Sequence, residues 1–598
     1  MIVALCLLAL FLSSCQTPAP SSPGKGKKAR RVVLLSLDGL AATRHRQLLE
    51  AQAYKDPEGL SSFSRYGFAP REAVPPNPTL TAVSHATIAT GRLPQEHGIV
   101  ANRFHLPDTP LGATVSGFDH PWQAESLWAA VRRQGGKVGV VTFPGCDGTT
   151  PERRADFFMV YVNQPASRPR WVELTAAGPG ETLQLEVTLS LRGQEEKVSF
   201  PLVVQSPAAG GGAPQLLVGD GAQKQAVEVG QWFALTVKRP HPDGGEQTIG
   251  AWCLLAEIQL QPLGVVLYQG GVYAVEAEPR AFRELVEREA GFWPGPPDDR
   301  ALEAGLRGER GLSLSQYGAQ LERFSSFFTA ATLAAVRHMD FDLLLTYQPV
   351  VDEAQHALLF TDPRQPGFSE GLSKTSGEFL DWTYQVADRA VGQLARALDL
   401  AQDALVVVSD HGIHPVWAQV NLQVVLEKEG LCGLRREGER ESLSPDCRLW
   451  AVQGGGVAHL YANLATPEPT GLAFGPAREK LLLLATEALA RLEAAGDKAL
   501  EAVAPREKAQ TWGLAHPHSG DLVVFPKPGI GLGGRPGDPL LSAPPYAGMH
   551  GFLNHHPSMA AVFLARGAGV PRKAPARVPL TQVAPFVTDL LGLSPPGQ

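Results

Sequence analysis

The chain has 598 residues, enough for one large domain with insertions or for about three to four average ones. Lysine and arginine number 53 against 60 aspartates and glutamates, and the net charge of −7 excludes the basic stripe that a nucleic-acid binder needs. With 62 glycines and 50 prolines the chain must turn often, while 44% hydrophobic residues supply a sizeable core.

Residues 2–12 form an apolar run too short to span a bilayer, followed by Ser13-Ser14-Cys15. Small residues ahead of a cysteine resemble a bacterial lipoprotein cleavage box. On that reading residues 1–14 are a signal peptide and Cys15 is lipidated and anchors the chain to a membrane. Gln16 stands where an aspartate is usually linked to inner-membrane retention, which favours an outer-membrane or periplasmic address in a cell envelope. A plain secretory signal is the alternative, and both readings export the protein. Residues 15–30, with Pro18, Pro20, Pro23, Lys25, Lys27 and Lys28, read as a flexible basic tether. An exported chain can form disulfides, and Cys432 with Cys447 is the best candidate pair, ahead of Cys146 and Cys253.

Residues 31–160 alternate strand and helix signals and form the first part of an α/β core. A β-branched and leucine-rich strand over 32–37 precedes a helix near 43–52. Helices come next at 82–90 and 124–134, then a strand at 137–143. Residues 161–275 change texture: 183–189, 226–229 and 233–237 alternate with period two between glycine-rich turns such as Gly210-Gly211-Gly212. This predicts a β-rich, antiparallel insertion. The α/β pattern returns over 276–598, with helices at 318–338, 375–400 and 475–496 and strands at 341–347, 404–409 and 558–565. The fold class is therefore α/β, with a mostly parallel central sheet flanked by helices and interrupted by the insertion.

Two of these strands end in chemistry: Asp38-Gly39 follows strand 32–37, and Asp410-His411-Gly412 follows strand 404–409. Ligands collect outside the carboxyl ends of parallel strands, so carboxylates and an imidazole there point to a metal site. Asp352 and His356, four apart after strand 341–347, face one side of a helical turn and can share a metal. His550 sits in a segment that also carries His555 and His556, where one ligand is a better expectation than three. Thr81 opens a helix, where the dipole and free N–H groups suit an anion; a simple N-cap is the plainer role.

Taken in order, the motifs resemble those of the alkaline phosphatase superfamily, in its nucleotide pyrophosphatase/phosphodiesterase branch. They are Leu37-Asp38-Gly39, Pro78-Thr79-Leu80-Thr81-Ala82-Val83-Ser84-His85, Thr90-Gly91-Arg92-Leu93-Pro94-Gln95-Glu96-His97-Gly98, Asn102, Asp352 with His356, Ser409-Asp410-His411-Gly412 and His550-Gly551. The resemblance implies two zinc ions, one on Asp352, His356 and His550, the other on Asp38, Asp410 and His411 with Thr81 Oγ also on it, as ligand and nucleophile. It also implies that Asn102 donates to a phosphoryl oxygen and that turnover passes through a phosphothreonine. Manganese or iron would tolerate three carboxylates as well.

The substrate expected from the resemblance is a small phosphoester, derived from a nucleotide or a phospholipid. Related monoesterases carry a Ser-x-Lys-Asp-Arg-like run that this chain lacks, which favours diesters. Arg153, Arg154, Arg168 and Arg170 are the candidates that could replace it. Phe104, Phe143 and Tyr347 are candidates either for a wall beside the site or for plain core packing. A phosphomonoesterase is the alternative activity, and a non-catalytic binding lipoprotein the remote one.

Overall fold

The run Val32–Leu37 (β1) is buried along its whole length and lies inside a seven-stranded sheet. In this computed structural model, residues 28–175, 180–205, 213–219, 224–437, 440–463, 475–494, 496–535 and 537–597 are described. The expected signal peptide, the lipidated Cys15, nearly all of the tether and Gly210-Gly211-Gly212 lie outside the described residues.

The other strands of the sheet are Val138–Val141 (β2), Phe157–Met159 (β3), Ala277–Glu278 (β4), Leu343–Gln348 (β5), Ala404–Val408 (β6) and Phe563–Gly567 (β7). Their order is β4-β3-β2-β5-β1-β6-β7. The five inner strands run parallel, and an antiparallel strand closes each edge. β1 alternates between two cores: Val33, Leu35 and Leu37 face one, Val32 and Leu34 the other. Each such side chain contributes about 1.5–3 kcal/mol by leaving water. Register sets where the strands end. Leu37 lies opposite Gln348 of β5, and Ser36 opposite Val408 of β6, so three strands end together at one rim of the sheet.

Helices cover both faces, among them Thr81–Thr90 (α1), Leu314–His338 (α2), Val350–Leu358 (α3) and Glu370–Ala397 (α4). The β-rich stretch forms two antiparallel sheets, one containing Thr182–Leu191 and Gln194–Gln205, the other Trp232–Pro240 and Glu246–Leu260. Leu185 and Leu202 from the first share a core with Phe233 and Ile249 from the second, which makes a sandwich.

The expected late strand over 558–565 begins instead as a tight turn, Pro557–Met559, and becomes a strand only at Phe563. A proline cannot donate to a ladder, so the strand starts after it. A further antiparallel sheet, of Leu449–Gly454, Val457–Ala462, Leu500–Pro505 and Leu522–Pro526, was not expected from the α/β alternation. Its first hairpin turns through Gly455, whose φ of +66° suits only glycine without strain. Cys432 and Cys447 are disulfide-bonded 15 residues apart beside this sheet, as their spacing predicts. Closing a loop of that length stabilises the fold by roughly 3 kcal/mol in the chain-entropy account. Cys146 and Cys253 are buried free thiols.

Candidate functional site

The shared strand ends gather the predicted residues. Asp38 follows β1, and Asp410 and His411 follow β6; one ligand atom from each lies within 4.8 Å of the others. α3 starts directly after β5 and presents Asp352 and His356 one turn apart. His550, from the chain ahead of β7, joins them in a second trio with the same spacing. The two trios abut: the rings of His411 and His550 stack at 3.7 Å between centroids. The first trio is closed off from solvent, whereas His356 and His550 line a cavity of about 300 Å³ that also touches Leu80, Asn102, Asp299 and Glu353.

The hydrogen bonds around the trios leave metal-binding lone pairs free. His356 Nδ1 donates to Gly548 O (2.8 Å), His550 Nδ1 to Thr79 O (3.0 Å) and His411 Nδ1 to Gly412 O (3.2 Å). Each imidazole is thereby oriented with Nε2 as its outward ligand atom, an arrangement typical of metal ligands. Among the described residues, Asp38 Oδ1, Asp352 Oδ1 and Asp410 Oδ2 are buried and accept no hydrogen bond. Three orphaned carboxylate oxygens beside three imidazole Nε2 atoms fit two divalent cations, since buried charge without a partner is costly.

Electrostatics agree with that fit. Burial, then the charges of Asp410 and Asp352, hold the Asp38 carboxyl well above the usual carboxylate range. Burial also opposes ionisation of Asp410, but His411 outweighs it and holds the carboxyl at about 2. Burial would lower His356, yet Asp352 beside it, 3.2 Å from Nε2, lifts it to about 9. His550 falls to about 3 through burial and the neighbouring His411. The cluster thus combines groups that repel and groups that attract, and it lacks a compensating charge at its centre.

Thr81 is the first residue of α1, and Leu80 is the N-cap, so the hydroxyl does not cap the helix. Thr81 Oγ1 instead lies 3.2 Å from His411 Nε2, on the rim of the closed trio. Asn102 Oδ1 accepts from the Ala82 N–H at 3.0 Å, which leaves its Nδ2 as the donor offered to the cavity. Gly39 has φ +65°, and a Cβ there would fall 2.6 Å from Asp352 Oδ1. Its N–H donates to Asp410 Oδ1 at 3.1 Å, so one glycine backbone touches a ligand of each trio.

Some expectations are redirected. Tyr347 is no cavity wall: its hydroxyl donates to Asp38 Oδ2. Phe104 packs against His518 and Phe143 against His85, both in the core. The aromatic residue on the cavity is Tyr546, 4.9 Å from the His356 ring, and it follows two prolines in a loop with no signal of its own. Arg153 is buried against Asp147 and the carbonyls of Phe118 and His120, Arg154 pairs with Glu278, and Arg170 bonds Gln269. Arg168 is exposed, and none of these four lines the cavity. His555 and His556 face Glu501 rather than the trios. Sequence reading also missed the role of His85, whose Nδ1 donates to Thr81 O (2.8 Å) and lies 3.6 Å from Asp410 Oδ2, and whose Nε2 is hydrogen-bonded with Ser36 Oγ (2.9 Å).

Because Tyr347 constrains Asp38 through a single hydroxyl, Tyr347→Phe is expected to lower metal affinity or kcat/KM by about 10–100-fold, the usual effect of losing a ligand's hydrogen-bond partner. Zinc titration and steady-state kinetics of the variant check this, and an unchanged enzyme would remove Tyr347 from the site's support.

Comparison with known proteins adds to this geometry. A family model described as type I phosphodiesterase / nucleotide pyrophosphatase matches residues 32–247 and 278–553. The chain is similar to ectonucleotide pyrophosphatase/phosphodiesterase family member 3 of Bos taurus, 27% identical over 206 residues, covering 29% of this chain and 23% of that protein. Family member 7 of Mus musculus is 28% identical over 149 residues, covering 24% and 31%. A bis(5'-adenosyl)-triphosphatase of Xenopus laevis is 28% identical over 159 residues, covering 26% and 32%. These matches span about a quarter to a third of the length of the curated relatives. Among solved structures, an inactive form of murine ectonucleotide pyrophosphatase/phosphodiesterase 5 in complex with AMP aligns at 14% identity and TM-score 0.48 over 95% of this chain and 96% of that one. Phosphonoacetate hydrolase from Sinorhizobium meliloti 1021, in complex with phosphonoformate, aligns at 16% identity and TM-score 0.47 over 94% and 96%. With the family model spanning well over half of its length, the chain belongs to the type I phosphodiesterase / nucleotide pyrophosphatase family of the alkaline phosphatase superfamily.

Proposed function

We propose that the protein is a metal-dependent phosphodiesterase of nucleotide pyrophosphatase type, working through a phosphothreonine on Thr81. Its cofactors would be two zinc ions, one held by Asp352, His356 and His550 and one by Asp38, Asp410 and His411. The observation that carries this reading is convergence. Six ligand groups, five buried and His356 half-buried, with one oxygen of each carboxylate unbonded, meet beside a hydroxyl at a helix N-terminus. Family membership and the relatives' names support a nucleotide-type diester or diphosphate substrate. The Cys432–Cys447 disulfide supports work outside the reducing cytosol. No helix among the described residues is long and apolar enough to cross a membrane.

When bound, zinc lowers the pKa of a coordinated hydroxyl and neutralises charge that builds on phosphoryl oxygens. The chain supplies the rest. The first turn of α1 directs its dipole and free N–H groups at the phosphoryl group. Asn102 Nδ2 donates to a non-bridging oxygen. Thr81 Oγ1 gives up its proton and forms the new bond to phosphorus, while the bond to the leaving alcohol or phosphate breaks on the opposite side and the leaving oxygen takes up a proton. Water then attacks the phosphothreonine, and Thr81 Oγ1 leaves with its proton restored.

The cavity offers little to a second phosphoryl charge. Asp299, Glu353 and Arg103 line it, Arg103 donating to Thr114 Oγ1, and the four candidate arginines are engaged or exposed elsewhere. A diester carries one negative charge where a monoester carries nearly two, so a cavity without an arginine cluster gains less from the monoester's second charge. On bis-p-nitrophenyl phosphate against p-nitrophenyl phosphate, kcat/KM is expected to favour the diester by about tenfold or more, which corresponds to a barrier difference of roughly 1.4 kcal/mol. A monoester preference would move the assignment to phosphomonoesterase.

A further inference from the structure

The histidines left over from the trios form a cluster of their own. Glu501 lies on strand Leu500–Pro505, and His555 and His556 lie in the segment between His550 and β7. His555 Nε2 stands 3.1 Å from Glu501 Oε1, and His556 Nε2 stands 2.7 Å from Glu501 Oε2. One ligand atom from each of the three lies within 4.8 Å of the others. We propose that Glu501, His555 and His556 are a divalent metal site of the zinc class, sharing no residue with the two trios.

Three features argue for it. First, residues 553–556 form a turn closed by the His556 N–H on Leu553 O at 3.2 Å, and both rings reach the same carboxylate, with Nε2 leading. Second, the rings lie 4.2 Å apart between centroids. Two imidazolium ions that close repel, and a carboxylate needs only one of them as partner. A single divalent ion instead satisfies both nitrogen lone pairs and the carboxylate at once. Third, the spacing is near that of a tetrahedral ion. With bonds of about 2.0–2.2 Å, ligand atoms sit roughly 3.3 Å apart, so the 3.1 Å pair fits and the 2.7 Å pair opens by a few tenths. Two imidazoles and one carboxylate suit zinc over calcium or magnesium, which prefer all-oxygen shells.

The location gives the site a use. Asn554, next to His555, donates from its backbone to Asn77 Oδ1 and from Nδ2 to Pro75 O, both at 2.7 Å. The same segment carries His550 a few residues upstream. An ion at Glu501 would clamp the sheet that contains Leu500–Pro505 to the segment that carries His550 and hydrogen-bonds Thr79. His555 is 61% exposed, which leaves water access to complete the shell and makes its replacement benign for folding.

The test is the zinc stoichiometry of the full chain, stripped with chelator, dialysed and titrated with zinc alone by calorimetry and elemental analysis. His555→Ala and Glu501→Gln are each expected to bind one equivalent fewer than wild type, or to bind that equivalent at least about tenfold more weakly. Three equivalents in wild type and two in the variants support both this site and the catalytic pair. One and none support this site and sink the catalytic reading. Equal stoichiometry and affinity in wild type and both variants overturns the site, whatever the catalytic trios bind.

Discussion

Thr81→Ala is expected to lower kcat on bis-p-nitrophenyl phosphate by about 10⁴-fold or more, with zinc content and thermal stability unchanged. The magnitude rests on the hydroxyl's isolation: Oγ1 faces His411 Nε2 at 3.2 Å and has no other hydrogen-bond partner among the described residues. All six proposed ligands survive the substitution. Stability separates this role from the plainer one. Loss of a threonine N-cap costs about 1 kcal/mol, but Leu80 occupies the N-cap here, so unfolding should move by less than that. Turnover within tenfold of wild type would mean that water, not Thr81, attacks phosphorus.

Removing metal is the second large effect. Dialysis against a strong chelator is expected to reduce diester hydrolysis by about 10³-fold or more, since the charge stabilisation metal supplies is worth several kcal/mol. Zinc should restore it. Stability should fall as well, because an ion present at a thousand times its Kd stabilises the folded state by about 4 kcal/mol. The substitution Asp38→Asn distinguishes a metal site from a self-satisfied polar core. In the stripped protein this carboxylate is buried, crowded by Asp410 and Asp352, and has one oxygen without a hydrogen bond. Neutralising it should therefore leave the stripped variant at least as stable as stripped wild type, while its activity in zinc is lost. A stripped Asp38→Asn protein that unfolds far more easily would mean that the carboxylate belongs to a satisfied network, and the two-metal reading would fail.

Much of the site could be read before the fold was known, for a definite reason. Ligands at the ends of parallel strands leave a local signature, a β-branched run followed by an acidic residue and glycine or histidine, as at Val32–Leu37 with Asp38 and Ala404–Val408 with Asp410 and His411. The four-residue spacing of Asp352 and His356 is likewise a property of one helix turn. Roles that depend on a partner far along the chain left no such mark. Tyr347 reads as a buried strand residue until β5 lies beside β1 and brings its hydroxyl to Asp38, 309 residues away. Arg153 reads as a candidate phosphate ligand until the turn around Asp147 takes up its guanidinium.

Local pattern was enough for the α/β class, the antiparallel character of the β-rich stretch, the Cys432–Cys447 pairing and the set of metal-binding residue types, because periodicity and spacing act over a few residues. Which ligands share a trio followed from the family resemblance and not from local pattern, and the folded chain brings the same two groups together. The place of His555 and His556 against Glu501 depended on the folded chain alone. Grouping comes from strand order and register, and those are set by long-range burial: β1 between β5 and β6 lets both faces of the sheet exclude water, and that packing carries Asp38, Asp352 and Asp410 to one rim.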